Sequence, residues 1–313
     1  MGAFEIESGK HIEFDQELVL GTSLTYEATD FPGRGGFTLT DLDIKMSGTY
    51  EEDLEFNLSL DLSELNSSEE DEGAVLKNAY IQYNQSDLLR YRVGQAKLPF
   101  GMEYEMSSTE RPQLYHSQGS DLIAPGRALG FTLLGKEIWK TLSYKAGLYN
   151  FTSSDDSYEN DSGHIRAAGT IKWDYEDWEV AYEISGSTAE TFAHGVGVKW
   201  DHKFSSRNRL TIFMELMEQR YYNYYWNNSL YSCISFRHKR IEPYIYFDYF
   251  NEDIDEDGEN DIIIPGLGFN AYLIDDKLQI RSELHSEYIY SYPTLNNYKF
   301  YDTQLSVNCV VIL

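Results

Sequence analysis

The most constraining feature of the sequence is a repeated alternation of apolar and polar residues, which recurs in about sixteen successive stretches. A period of two places successive side chains on opposite faces of a β-strand. The links between the stretches alternate between short and long, as expected for a barrel with tight turns at one end and longer loops at the other. The sequence therefore predicts an all-β fold, a transmembrane antiparallel β-barrel of 16 strands that forms one domain over residues 1–313.

The clearest alternation lies in residues 54–62, where Leu54, Phe56 and Leu58 face one side and Glu55 and Asn57 the other. A soluble sandwich would also give one such strand. Most stretches, however, have the roughly nine to eleven residues that a strand needs to cross a bilayer at a tilt. The strands are predicted near residues 12–27, 37–48, 54–62, 75–84, 88–97, 127–135, 140–151, 163–174, 177–186, 191–203, 208–219, 229–238, 241–250, 262–274, 277–289 and 299–313.

The links are predicted to be periplasmic where they are short and extracellular where they are long, with both termini periplasmic. Short links fall near residues 49–53, 85–87, 135–137, 175–177, 204–208, 238–240 and 275–277. Long links fall at 28–36, 64–74, 98–126, 152–162, 187–190, 220–228, 251–261 and 290–298. Only the link 187–190 is shorter than expected for this group.

The net charge of −27 is concentrated in three long links, 64–74, 152–162 and 251–261, which carry 5, 4 and 7 acids and no Lys or Arg. Such a surface repels phosphate, so nucleic acid is excluded as a partner. No apolar run approaches the roughly 18 residues of a membrane helix. The N-terminus has no secretory signal. Because an outer-membrane protein is exported, the sequence is interpreted as a mature chain with an added start Met, located in the bacterial outer membrane.

Side chains opposite the apolar stripes are predicted to line a water-filled lumen. The basic ones are Arg90, Arg92, Lys145, Arg166, Lys172, Lys199, Arg237 and Arg281. The acidic ones are Asp43, Asp61, Glu179, Glu183 and Glu215. A solvated sheet face would give the same mixture, but the lack of a plug-sized insert favours a lumen. Cys233 is predicted to face this lumen and Cys309 the lipid, which argues against a disulfide between them.

Aromatic residues cluster where the strands are predicted to leave the hydrocarbon. Two aromatic girdles, one at each interface, are expected of a membrane barrel. One set lies beside short turns and comprises Trp139, Trp173 and Trp178. The other lies at the bases of long links and comprises Tyr221, Tyr222, Tyr224, Tyr225, Trp226, Tyr288, Tyr290 and Tyr292.

The longest link, residues 98–126, has the length of a loop that folds back into a barrel and narrows it. The segments RVGQAKLPFGMEYEMSS (92–108), TER (109–111) and PGRALGFTLLGK (125–136) resemble the signature region of the phosphate-selective porin O and P family. The resemblance covers residues 88–136. It implies a sixteen-stranded outer-membrane porin, usually a homotrimer, with the third extracellular loop inside the pore.

Matching the motif places the constriction at or near Lys97, Glu110, Arg111, His116, Asp121 and Arg127. The resemblance implies selectivity for phosphate or other anions, whereas the acidic links favour cations. The fifth long link, residues 187–190, is short for the family. The prediction is a passive diffusion pore for small hydrophilic solutes or ions, with its ion preference left open.

The acidic link 251–261 contains carboxylates in alternate positions with Gly258 at the sixth place, as at the start of a calcium loop. The candidate ligands are Asp253, Asp255, Asp257, Glu259 and Asp261. The twelfth position, where an acid is expected, is Ile264. A solvated acidic loop is the alternative, and no other cofactor is predicted. Outer-membrane lipid and lipopolysaccharide are the expected surroundings.

Two other functions remain open at this point. A barrel hydrolase could bring His194, His285 and Ser232 together across strands, although no HExxH or GxSxG motif is present and no enzyme is predicted. A barrel could also sheathe a partner such as an electron-conduit cytochrome, although the chain has no haem-attachment motif. The long inward loop favours a narrowed pore over a hollow sheath.

Overall fold

The computed structural model describes residues 2–6, 10–28, 34–51, 53–62, 75–108, 110–124, 126–150, 163–188, 191–221, 225–255, 258–274, 278–291 and 298–312. In these ranges the chain forms seventeen strands and two short helices. The strands are β1 (Gly2–Ile6), β2 (Lys10–Ala28), β3 (Arg34–Tyr50), β4 (Leu54–Asp61), β5 (Val75–Ser86), β6 (Leu89–Lys97), β7 (Arg127–Ile138), β8 (Leu142–Asn150), β9 (Ile165–Tyr175), β10 (Trp178–Ser187), β11 (Thr191–Ser205), β12 (Asn208–Tyr221), β13 (Tyr225–His238), β14 (Ile241–Asp255), β15 (Gly258–Ile274), β16 (Leu278–Ser291) and β17 (Tyr298–Ile312). The helices are α1 (Met102–Glu105) and α2 (Gln118–Leu122).

The strands β2 to β17 form an antiparallel ring. Each pairs with its neighbour in the chain, from β2 with β3 through to β16 with β17. The ring closes because β17 pairs with β2, in a register that runs from Thr303↔Ala28 to Ile312↔Val19. The predicted antiparallel barrel of sixteen strands is confirmed.

The short strand β1 is an addition that the sequence pattern did not predict. It pairs with the start of β2, from Gly2↔Phe14 to Ile6↔Lys10. The pairing of β17 with β2 reaches no nearer to this end than Val19. The strand β1 therefore continues the edge of β2 beyond the end of β17 and does not widen the ring.

The two faces of the strands differ as the alternation predicts. Outward-pointing apolar side chains are strongly exposed, for example Val93, Leu148 and Ile245, each at 58 %. The residues at alternate positions of the strands point inward. Among these inward residues, Ser59, Glu215 and Asn270 are at most 2 % exposed. A soluble protein buries its apolar face, so a polar interior with an apolar exterior is the arrangement that suits a bilayer. Among the described residues, no helix is long and apolar enough to cross a membrane.

The links follow the predicted alternation at the short-turn end. Glu51, Glu176 and Lys239 have left-handed backbone there, with φ between 51° and 54°, as tight hairpins require. At the long-link end two predictions are wrong: the segments 220–228 and 251–261 are largely strand. Pairing continues through Tyr221↔Tyr225 and through Asp255↔Gly258, because backbone hydrogen bonds extend the ladder even where side chains do not alternate in polarity. The links 63–74, 151–162 and 292–297 lie outside the described residues.

An aromatic band lies on the outer face at the short-turn ends of β9, β10 and β11. Trp173 stacks on Tyr175 with ring centroids 5.6 Å apart, and Trp178 lies 6.1 Å from Trp200. Trp139, in the turn after β7, is 85 % exposed. This band corresponds to the predicted girdle beside the short turns. At the opposite end Trp226 is exposed, whereas the side chains of residues 221–225 and 290–292 lie outside the described set.

Candidate functional site: a loop folded into the barrel

The segment 98–126 folds into the barrel and packs against the inner face of distant strands. Phe100 and Ile123 are fully buried in a cluster with Met217 on β12 and Phe250 on β14. Met102 lies in a second cluster, which contains Phe213, Tyr231, Cys233 and Tyr244. The inner face of β11 to β14 is therefore locally apolar where the loop lies on it, and this burial stabilises the inward position.

Two glycines give the loop its close approach to the wall. A Cβ on Gly197 of β11 would lie 2.6 Å from the sulfur of Met102 and 2.8 Å from its Cβ. A Cβ on Gly119 of α2 would overlap the side chain of Ser229 on β13. Both positions need a residue without a side chain, because no real Cβ approaches its neighbours this closely.

Inward carboxylates of the wall bind main-chain amides of the loop. Glu183 on β10 accepts a hydrogen bond from the amide of Gly101 at 2.6 Å. Glu215 on β12 accepts from Met102 at 2.5 Å and from Glu103 at 3.2 Å. These amides begin helix α1 and have no intrahelical partner, so the carboxylates complete its first turn. In the same way Asp248 accepts from Gln118 at 2.7 Å and Glu283 from Leu114 at 2.8 Å.

Arg281 on β16 binds main-chain carbonyls of the loop. Its guanidinium donates to the oxygens of Ser108 at 2.6 Å, Arg111 at 2.7 Å, Pro112 at 2.9 Å and Gln113 at 2.5 Å. The side chain is only 3 % exposed. Acids on the wall therefore bind loop N–H groups and a base binds loop C=O groups, which satisfies the backbone of an irregular segment in a buried position.

Glu103 organises the loop from within. Its carboxylate, fully buried, accepts hydrogen bonds from Gln113 at 2.8 Å, from the Ser117 hydroxyl at 2.7 Å and from the Ser120 hydroxyl. Burial alone would raise its pKa, but His116, with Nδ1 at 3.4 Å, and Arg111, at 3.3 Å, hold it at about 2. Glu103 therefore stays ionised. Its hydrogen bonds hold helix α1 against helix α2.

An open passage remains between the loop and the strands β4 to β11. A cavity of about 190 Å³ lies beside Asn78, Tyr80 and Lys97, which are near the long-link ends of β5 and β6. A cavity of about 510 Å³ lies beside Arg90, Lys136, Lys172 and Glu179, near the short turns. A third cavity of about 380 Å³ extends beneath the loop toward β12 to β16 and adjoins the second at Met106, Glu110 and Lys199.

The first two cavities share three lining residues, Arg92, Glu105 and Lys145. A solute that passes from one cavity to the other goes by these three side chains, so we assign the constriction to this section. Among the described residues, the smaller cavity is lined by Arg92, Lys97 and Lys145 but by a single carboxylate, that of Glu105. The surroundings of the constriction are therefore basic, although the whole chain is strongly acidic.

The residues predicted for the constriction fall into two groups. Lys97 and Glu110 line the cavities. Arg111 does not: it is 5 % exposed and pairs with Glu103 inside the loop. His116 lies beside Glu103 and packs on Tyr104, Asp121 is exposed on α2, and Arg127 lies opposite Lys97 at the start of β7.

Most of the predicted pore-lining residues lie on the passage. Arg90, Arg92, Lys145, Lys172 and Lys199 all line the cavity of about 510 Å³. Arg281 is a correction: it faces inward but is buried under the loop, because β16 is one of the strands on which the loop lies. Arg166 alternates with the buried Ala168 and Thr170 on the inner face of β9 and lines none of these cavities.

The predicted calcium ligands lie on a hairpin. Asp253 on β14 pairs in register with Glu259 on β15, and only residues 256–257 link the strands. The side chains of 252–260 lie outside the described set, so the calcium site stays a prediction. In the described part of the chain no cluster of His, Cys, Asp and Glu suits a metal.

The three residues of the hydrolase alternative are separated by the sheet. His194 and Ser232 lie at outward positions, next in alternation to Val196 and Ile234. His285 lies on the inner face, where its ring nitrogen is 3.2 Å from Glu283. The arrangement therefore brings no such triad together.

The sequence pattern indicated the inward direction of Glu183 and Glu215 but not their role as loop anchors. Glu103, Glu105, Asp248 and Glu283 were missed altogether. The signal for the last two is a lone acid amid apolar and aromatic neighbours on an inward face, as at Asp248 between Tyr246 and Phe250.

A closed sixteen-stranded barrel with an apolar exterior, a polar interior and an inward loop that leaves a narrow passage defines an outer-membrane diffusion channel. Residues 22–210 match the sequence pattern of the family "Phosphate-selective porin O and P". The chain belongs to this family and is an outer-membrane channel for passive diffusion. No curated protein sequence matches it.

Solved structures of outer-membrane proteins resemble the chain along its length. The outer-membrane channel DcaP of Acinetobacter baumannii superimposes with a TM-score of 0.68 at 11 % identity and covers 100 % of both chains. An anion-selective porin from Comamonas acidovorans superimposes with a TM-score of 0.67 at 12 % identity, over 96 % of this chain and 100 % of that chain. OmpT of Vibrio cholerae in its trimer form superimposes with a TM-score of 0.62 at 10 % identity, over 96 % of this chain and 99 % of that chain. At these identities the likeness establishes the fold.

Proposed function

We propose that the channel prefers small anions, because its narrowest section is basic. Arg92 donates to the side-chain oxygen of Gln82 at 2.9 Å and lies 4.1 Å above the Tyr80 ring. Lys97 donates to the carbonyls of Tyr104 and Met106. Neither forms a salt bridge with a carboxylate among the described residues. The charge of Arg92 therefore has no carboxylate partner at the constriction, with the amine of Lys97 in the same cavity, and this observation carries the proposal.

The size of the preference follows from Coulomb's law. One unit charge at about 6 Å from an ion in water attracts an anion by about 0.7 kcal/mol and repels a cation by the same amount. The difference of about 1.4 kcal/mol is about a tenfold preference for anions. The sequence predicts that most of the excess acids lie in the long links beyond the strands, and salt screens charges over about 8–10 Å. The charges nearest to the permeating ion therefore have the larger effect on selectivity.

The test is the reversal potential of the purified channel in planar bilayers with a KCl gradient. The double variant Arg92→Gln, Lys97→Gln is expected to lose most of the anion preference. The matched control is Lys172→Gln, Glu179→Gln, which removes an ion pair of 3.0 Å from the same lumen without changing its net charge. An unchanged reversal potential in the first variant, or an equal change in the control, contradicts the proposal.

The second part of the proposal is that the protein lets solutes pass and catalyses no reaction. The hydrolase candidates His194 and His285 lie on opposite faces of the sheet. The loop occupies the space that a sheathed cytochrome would need. Both observations support a channel over an enzyme or a sheath.

The assembly proposed is a homotrimer surrounded by outer-membrane lipid and lipopolysaccharide. The outer-membrane protein OmpT of Vibrio cholerae, which shares this fold, has a trimer form. The exposed apolar band supports contact with lipid acyl chains. Light scattering of the detergent-solubilised protein, corrected for bound detergent, distinguishes a trimer from a monomer.

A further inference from the structure

The ion pair between Glu105 and Lys145 lies across the constriction. Lys145 Nζ on β8 donates to both oxygens of Glu105, at 2.8 Å and 2.7 Å. Both residues line the cavity on the long-link side and the cavity on the short-turn side. Glu105 belongs to the loop and Lys145 to the wall, so the pair joins the two sides of the passage.

This contact differs from the other contacts that hold the loop. Glu183, Glu215, Glu283 and Arg281, which bind its backbone, are all at most 3 % exposed. The side chains of Lys145 and Glu105 are 39 % and 25 % exposed. Buried charge pairs are costly to break, whereas exposed pairs open and close readily. Unlike these four buried contacts, the Glu105–Lys145 pair is therefore accessible to a solute in the passage.

The backbone at this point is fixed, so that only the side chain of Glu105 needs to move. Lys97 Nζ binds the carbonyls of the residues on either side, Tyr104 and Met106. Glu183 and Glu215 bind the amides at the start of the same helix. A change of side-chain rotamer releases Lys145 without moving the loop.

We propose that Glu105 is a carboxylate bar across the passage, and that a solute carrying an oxyanion opens it by replacing Glu105 at Lys145 beside Arg92. The site already holds a carboxylate, so an external carboxylate meets donors of the required number and sign. Arg92, whose guanidinium binds an amide oxygen and lies against Tyr80, adds a second cation. This inference rests on the proposed anion preference.

The expected effect on conductance follows from the strength of such a pair. Exposed ion pairs are formed for about 60–85 % of the time. The passage is then open for the remaining time, about 15–40 %, so removing the bar is expected to raise the mean KCl conductance about two- to sixfold. The variant Glu105→Gln removes the charge and the pair together. The variant Glu105→Asp keeps the charge but is shorter by one methylene, so it loses the contact with Lys145.

The experiment measures KCl conductance in planar bilayers and its block by acetate and by inorganic phosphate. Both Glu105 variants are expected to conduct more than the unmodified channel. Glu105→Gln is also expected to need less acetate for half block, because the internal competitor is gone. In Lys145→Gln the acetate block is expected to be lost.

The control is Glu179→Gln, which breaks a similar pair with Lys172 that lines only one of the two cavities. Block by acetate and phosphate supports a general oxyanion subsite, and block by acetate alone supports a carboxylate subsite. Unchanged conductance in both Glu105 variants, an equal gain in Glu179→Gln, or no block by either anion overturns the inference. A cation-selective unmodified channel would instead refute the proposed function, while the conductance of the Glu105 variants still tests the bar.

Discussion

Replacing the loop carboxylate Glu103 by Gln is expected to loosen the whole inward loop. The carboxylate is fully buried and accepts hydrogen bonds from Arg111, Gln113, Ser117 and Ser120. The docked loop lowers its pKa from 4.5 to about 2, which corresponds to about 3 kcal/mol of stabilisation of the charged form. Breaking a buried pair by removing one partner costs a similar amount, about 3–5 kcal/mol.

The assay for this change is hydrogen exchange of the loop amides in detergent micelles, followed by mass spectrometry. A loss of about 3 kcal/mol raises the opening equilibrium on the order of a hundredfold, so exchange across residues 98–126 is expected to accelerate by that factor. The control is Glu110→Gln, an exposed loop acid whose hydrogen bonds are to Ser107. Unchanged exchange in Glu103→Gln, or equal acceleration in the control, would refute the role assigned to Glu103.

Three further predictions concern the attachment of the loop. The pKa of Glu103 in the docked loop is depressed to about 2, so Glu103 stabilises the docked loop fully above about pH 4.5. This stabilisation is lost as the pH falls through about 2, and hydrogen exchange of the loop measured against pH checks the loss. Gly197→Val is expected to displace Met102 at a cost of about 1–3 kcal/mol and to speed exchange at α1, unlike Gly186→Ala, where the nearest atoms are 3.6 Å away. Arg281→Gln leaves loop carbonyls unpaired, so exchange is expected to rise more over residues 108–113 than in α2.

The barrel could be predicted from the sequence because one rule repeats along the chain. Each crossing strand must present apolar residues to lipid and polar residues to the lumen, so faces and strand number follow from alternation. The rule gives no information where a hairpin extends into water. There the backbone pairing continues through Asp253↔Glu259, and the acidic segment was mistaken for a loop.

The site was predicted in outline but not in its contacts. The motif around Lys97 and Glu110 indicated the constriction loop, and the alternation indicated an inward direction for Arg92 and Lys145, which line both cavities. The docking contacts join residues far apart in sequence, such as Met102 with Glu215 and Leu114 with Glu283, which no local pattern reports. Glu103 and Glu105 lie in one helical turn, yet one is buried and the other reaches the passage.

The central claim is that the basic section around Arg92 and Lys97, and not the net charge of −27, determines which ions cross. The most direct measurement is the reversal potential of the unmodified, purified protein in a planar bilayer with a tenfold KCl gradient. A potential of the sign set by chloride is predicted. A potential of the sign set by potassium, or a folded protein that carries no current, would contradict the account.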